Sequence, residues 1–197
     1  MFFACNAEYD GTTPPIAEGE TKIPENPSES AGLPDNDESD TTELPVIPAN
    51  GNILVAYFSW SSSGNTEKMA LYIAEKTDAT VYEIEPLVPY PTEYVLATEV
   101  AKEEKDNNAR PEIKNPIDIS DYDVIFVGFP IWWHTAPMII GTFLESYNLE
   151  RKDVYPFFQG ASNSNDSYYA EAMTFINSCA GRASVHDGLY AAAADTA

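Results

Sequence analysis

The sequence predicts an α/β domain built on a parallel sheet with helices on both faces. Three observations point to it. Ile53-Leu54-Val55-Ala56-Tyr57-Phe58 and Tyr122-Asp123-Val124-Ile125-Phe126-Val127-Gly128-Phe129 are short, nearly unbroken apolar runs, the pattern of strands covered on both faces. Stretches with a helical apolar period separate the runs. Strands that alternate with helices are joined by crossovers, which makes the sheet parallel and the crossovers right-handed.

The elements follow in order. After the first strand, Ile53–Phe58, come Ser59, Ser61, Ser62, Ser63, Gly64, Asn65 and Thr66. A helix then places Met69, Ala70, Ile73 and Ala74 on one face and Glu67, Lys68, Glu75 and Lys76 on the other. Thr80–Glu85 alternates like a strand near the sheet edge. Pro86, Pro89 and Pro91 break regular structure, with Tyr90 between them read as a packing residue. Thr92 to Asn107 is the second helix, with Tyr94, Val95, Val100 and Ala101 available to pack. The third strand, Tyr122–Phe129, runs into Pro130-Ile131-Trp132-Trp133-His134-Thr135-Ala136-Pro137, and a helix over 137–147 follows. Asp153–Phe158 is a fourth strand, in which Pro156 is expected only near the start. Gln159–Asp166 is a polar loop, Tyr168–Cys179 a helix and Ala183–Tyr190 a short fifth strand; Ala191–Ala197 reads as the lead-in to a last helix that the sequence lacks.

Composition narrows the function. The formal net charge is −22 over 197 residues, which argues against a nucleic-acid partner, since phosphate backbones need clustered cations. It suits a protein that docks on basic partners. No apolar run is long enough to span a membrane. Cys5 and Cys179 form no metal or dithiol motif, and Cys179 reads as a small buried residue. Residues 1–51 are acidic and rich in proline, with 11 acidic side chains against Lys22 alone in the first 50; such a segment reads as a disordered tether. Met1-Phe2-Phe3-Ala4-Cys5 is similar to the end of a bacterial lipoprotein signal. The expectation is a lipid tether on Cys5 and a cell-envelope location, the alternative a cytoplasmic protein with an ordinary disordered extension. The domain is expected over 52–197.

In parallel α/β sheets, ligands sit beyond the carboxyl ends of the strands. The serine-rich, Trp-Trp and Gln159–Asp166 loops all emerge there. A helix N-terminus after Gly64 offers free amides and a positive dipole end, and the serine and threonine hydroxyls add donors for an anion. The plain alternative is that Ser63 or Asn65 only caps the helix.

Together these segments resemble the flavodoxin family. Ser61-Ser62-Ser63-Gly64-Asn65-Thr66 is similar to its hydroxyl-rich T-x-T-G-N-T phosphate loop. Tyr57-Phe58-Ser59-Trp60, Asn108-Ala109-Arg110-Pro111, Tyr122-Asp123 and Gly128-Phe129-Pro130-Ile131-Trp132-Trp133 resemble a bacterial branch of the family. The resemblance covers about 52–190 and implies a flavodoxin-like three-layer α/β/α sandwich with a five-stranded parallel sheet.

It also implies FMN. The phosphate would sit on Ser61, Ser63, Gly64, Asn65 and Thr66, assisted by Ser59 or Ser62. The flavin ring would lie between Pro130, Ile131, Trp132, Trp133 and His134 on one side and Gln159, Gly160, Ala161 and Ser162 on the other. Of the two adjacent indoles, Trp132 is expected at the flavin and Trp133 in the core. His134 is the one candidate for proton donation, and His186 reads as a surface residue. Ser59-Trp60 makes the first loop two residues longer than the family form. The implied function is FMN-dependent electron transfer with a redox partner protein, or NAD(P)H-dependent reduction of a small quinone-like acceptor. The alternative is a non-redox binding module that has lost its flavin.

Overall fold

The computed structural model describes residues 52–160 and 166–192. The expected tether with Cys5, the site candidates Ala161 and Ser162, and residues 193–197 lie outside the described residues. Of the two units into which the chain divides, Met1–Glu43 and Leu44–Ala197, the described residues belong to the second.

The elements run β1 (Ile53–Tyr57), α1 (Asn65–Thr77), β2 (Thr80–Glu83), α2 (Tyr94–Asp106), β3 (Val124–Pro130), α3 (Met138–Ser146), β4 (Asp153–Gly160), α4 (Asp166–Cys179), β5 (Ser184–Val185) and β6 (Leu189–Ala192). The sheet order is β2-β1-β3-β4-β5, with β6 also on β4, and every pairing is parallel. That is the doubly wound order for which flavodoxins are the standard example, and it puts the switch point between β1 and β3. The fifth position of the sheet is therefore filled by two short strands.

One face carries Leu54, Ala56, Phe58, Ile125, Val127, Phe129 and Phe158 under α3 and α4. Ile139, Ile140 and Phe143 of α3 and Ile176 of α4 are fully buried there. The other face packs Val55, Tyr57 and Phe157 against Ala70 and Ala74 of α1. Farther along that face Tyr155 stacks on Phe126 at 5.3 Å, and His186 stacks on Tyr155 at 4.1 Å.

Several expectations are corrected. In α2, Ala97 and Ala101 face the core, whereas Tyr94 and Val95 are 73% and 66% exposed. Val95 lies two residues, about 200°, from Ala97, and Tyr94 turns to Trp60 instead. Pro156 sits in the middle of β4, not near its start. Main-chain groups alternate sides along a strand. Asp153 N–H bonds to Asp123 O, just before β3, and Val154 C=O accepts from His186 on the outer side. The imide nitrogen of Pro156 thus faces outward, opposite the break at residues 186–188 between β5 and β6, where no ladder bond is lost. Ala191 and Ala192 are strand, paired with Gln159 and Gly160, so sheet pairing overrides their helix propensity. His186 is half-buried and has a carboxylate partner distant in sequence, Asp153 Oδ1, 2.7 Å from its Nε2.

Candidate functional site

The carboxyl ends of β1, β3 and β4 are tied together. Phe58 N–H donates to Gly128 O, and Ile131 N–H donates to Gln159 O at 2.8 Å. Pro130 and Gln159 stand in register. This brings the Trp-Trp loop against the end of β4, as the sequence anticipates.

The loop after β1 folds into a tight turn. Gly64 N–H donates to Ser61 O at 2.9 Å, and the Ser61 and Ser63 hydroxyls pair at 2.9 Å. Gly64 is the N-cap of α1, at φ 61° and ψ 27°, with no side-chain cap bond. The plain alternative, that Ser63 or Asn65 only caps the helix, therefore fails. The first bond of α1 runs from Lys68 N–H to Gly64 O, so the amides of Asn65, Thr66 and Glu67 precede it. Ser61, Ser62 and Ser63 are exposed, Ser59 and Asn65 are half-buried, and Thr66 is buried.

One feature opposes an anion here. Glu67 lies in the first turn of α1, and Glu83 ends β2. Burial, Glu67 and Glu85 together hold the Glu83 carboxyl above its usual range. Burial, then Glu83 and Glu67, push the Tyr57 phenol up to about 12. With no Lys or Arg in the loop, an anion here rests on hydroxyls, amides and the helix dipole alone.

The Trp-Trp loop closes as a two-residue hairpin. Trp132 and Thr135 exchange N–H···O bonds of 2.9 and 3.0 Å. The central residues Trp133 and His134 both have positive φ, 45° and 71°, a conformation such turns normally reserve for Asn and Gly. Three contacts hold it. Trp133 Nε1–H donates to Thr98 O at 2.8 Å, Lys105 Nζ donates to Trp133 O at 2.5 Å, and His134 stacks on Tyr168 at 4.4 Å. Trp133 is thus 38% exposed on α2 and not in the core. Trp132 is half-buried, with Phe58, Tyr90 and Trp60 all edge-on to it at 5.0 to 6.0 Å.

At the end of β4, Gly160 approaches Tyr190 so closely that a Cβ would stand 2.3 Å from the hydroxyl. The Oε1 of Gln159 and the hydroxyl of Tyr190 are buried with no hydrogen-bond partner among the described residues. Native proteins rarely leave such atoms unpaired. The two groups fit a flavin chemically, because its pyrimidine edge carries both N–H and C=O groups. Sequence reasoning missed Tyr190, whose place depends on β6 pairing with β4. Trp60 figured there as part of a family-like segment and as added loop length, with no contact to Trp132 anticipated.

A model of the flavodoxin family matches residues 52–181. The chain belongs to the flavodoxin family. Among solved structures, this flavodoxin-family chain is similar to an assigned flavoprotein from Bacteroides eggerthii, at 32% identity and TM-score 0.63 over 72% of this chain and 88% of that one. One from Bacteroides uniformis gives 32% and 0.62 over 73% and 91%. A Lactobacillus acidophilus flavoprotein, solved in complex with FMN, gives 26% and 0.59 over 71% and 92%. No curated protein matches the sequence. Family and residues agree on FMN as the cofactor.

Proposed function

We propose that this chain binds FMN at the carboxyl edge of β1, β3 and β4 and passes electrons through it. The observation behind this reading is the uncapped start of α1. Ser61, Ser63 and the amides following Gly64 are not spent on capping, and that donor set suits a phosphate. Gln159 and Tyr190 supply an acceptor and a donor for the ring edge. Trp132, braced by three other rings, supplies a fixed apolar wall. Bound there, FMN supplies the redox chemistry, and the chain positions it and keeps water from the ring.

A redox partner protein fits the acidic surface, because opposite charge steers docking. The lysines beside the Trp-Trp turn are engaged: Lys102 with Asp106 and the Trp133 ring, Lys105 with Trp133 O and Glu171. Neither is free for a dinucleotide phosphate, which favours a carrier over an NAD(P)H-dependent reductase. The exposed aromatic rim beside Trp132 favours a small planar acceptor and keeps the reductase as the second reading. Lipidation of Cys5 and a cell-envelope location belong to the same proposal, supported by the sequence of residues 1–5; fatty-acid labelling abolished by Cys5→Ser tests them.

The deciding experiment is an absorption spectrum of the purified protein with added FMN, followed by anaerobic titration with a reductant. A perturbed flavin spectrum that bleaches on reduction supports the reading. A protein that stays colourless after incubation and gel filtration refutes it. Steady NADPH oxidation with a quinone selects the reductase.

A further inference from the structure

Glu67 stands in the first turn of α1, whose N-cap is Gly64. Its side chain folds back over the start of the helix: a Cβ built on Gly64 would stand 3.2 Å from Glu67 Oε2. An acidic residue at this distance from an N-cap commonly closes a reciprocal bond to the N-cap amide. Here that amide is taken, because Gly64 N–H donates to Ser61 O at 2.9 Å. The carboxylate therefore sits at the helix start in the favourable field of the dipole, without the bond that would lock it there.

Like charge closes the space beneath it. Tyr57 on β1 and Glu83 on β2 stand in register, so both side chains rise on the face that α1 covers. Glu67 and Glu83 both act on the Tyr57 phenol, and Glu67 acts on Glu83. Lys114, on the same edge, is paired with Glu85 at 2.6 Å. When a second anion arrives at the helix start, Glu67 cannot retreat toward β2. Its open direction is solvent, to which it is already exposed.

Glu67 therefore has two opposed effects. A negative charge at a helix N-terminus stabilises the helix. The same charge repels a phosphate bound at the same place.

We propose that Glu67 is a resident anion of the phosphate loop. In the apo-protein its carboxylate takes the place of the phosphate ester and holds the start of α1 in its binding conformation. As the phosphate enters, the carboxylate swings into solvent. Glu67 thus sets affinity for the phosphate end of the ligand and leaves the ring end untouched. The inference rests on the FMN reading of the loop.

The test is Glu67→Gln, which keeps the size and polarity of the side chain and removes the charge. Two readouts should move in opposite directions. Flavin fluorescence titration at physiological ionic strength should show FMN bound about threefold to tenfold more tightly than by native protein, the size of one solvent-screened like-charge contact. Riboflavin affinity should not change, and the gain for FMN should grow at low ionic strength. Urea unfolding of the apo-protein should show a lower midpoint for Glu67→Gln, and inorganic phosphate should raise that midpoint more than it raises the native one. Glu75→Gln, near the other end of α1, controls for net charge and should leave FMN affinity at the native value. Equal FMN affinity in native and Glu67→Gln protein overturns the proposal, as does a gain shared by riboflavin. A variant that loses both stability and FMN affinity overturns it too, because Glu67 would then serve the fold alone. Native protein that binds no flavin refutes the FMN reading, and Glu67 is then judged on inorganic phosphate: equal stabilisation of both proteins overturns the proposal.

Discussion

Replacing Gly64 with alanine tests the anion loop at one backbone position. Gly64 holds φ 61° and ψ 27° at the start of α1. A residue with a Cβ costs about 1–2 kcal/mol more in that left-handed region. The new Cβ would stand 3.2 Å from Glu67 Oε2, but Glu67 is exposed and can swing clear. The expected loss is therefore the backbone strain alone, about 1–2 kcal/mol, a fall in Tm of roughly 3–8 °C for a domain of this size. Gly64→Asn should lose less, because asparagine tolerates the left-handed region better. If the loop instead relaxes to relieve the strain, the amides of residues 65–67 move out of line with Ser61 and Ser63. The loss then appears in FMN affinity, about tenfold for each 1.4 kcal/mol. Urea unfolding of the apo-protein and FMN fluorescence titration read the two effects separately. An alanine variant that matches native protein in both would refute the claim that the loop requires this conformation.

Three other outcomes follow from the packing. Glu104 accepts a hydrogen bond from the Tyr90 hydroxyl at 2.9 Å, and burial holds its carboxyl above the usual range. A raised folded pKa favours folding below the unfolded value and loses that contribution as pH rises through the folded one. Glu104→Gln, which keeps an acceptor and removes the charge, should gain stability over native protein as pH rises from about 4 to about 7; a pH-independent difference by urea unfolding contradicts this. Gly128→Ala would put its Cβ 2.1 Å from Cζ of the buried Phe157 ring. Overpacking of that kind should cost about 1–3 kcal/mol, partly recovered by adding Phe157→Leu, with equilibrium unfolding as the measure. Cys179 is 4% exposed, and burial pushes its thiol up. In a Cys5→Ser background, iodoacetamide should modify Cys179 only in denaturant, and rapid labelling of native protein would show the burial to be wrong.

The sequence revealed what is local and continuous. β1 and β3 are nearly unbroken apolar runs, and the hydroxyl loop is a contiguous stretch at a strand–helix junction, so both could be read without tertiary information. Pairings between distant segments could not. His186 finds Asp153 33 positions away, and Trp60 finds Pro91 31 positions away; no periodicity encodes either. Ala191-Ala192 looked like helix because alanine favours helices, and only pairing with Gln159 and Gly160 makes it strand. Adjacency to a site-facing Trp132 predicts Trp133 in the core. A hairpin with two left-handed residues sends it instead to the surface of α2. Tyr94 and Val95 failed for a simpler reason: both are apolar, but the buried line of α2 runs through Ala97 and Ala101.

The most direct measurement compares FMN with riboflavin on the apo-protein by flavin fluorescence. The two ligands differ by the phosphate alone, the group assigned to Ser61, Ser63, Thr66 and the amides after Gly64. Tight one-to-one binding of FMN, much weaker binding of riboflavin, and loss of that difference in the Ser63→Ala, Thr66→Ala double variant are the predicted results. Equal affinity for both flavins in native protein would contradict the account, because the serine-rich turn would then hold no phosphate.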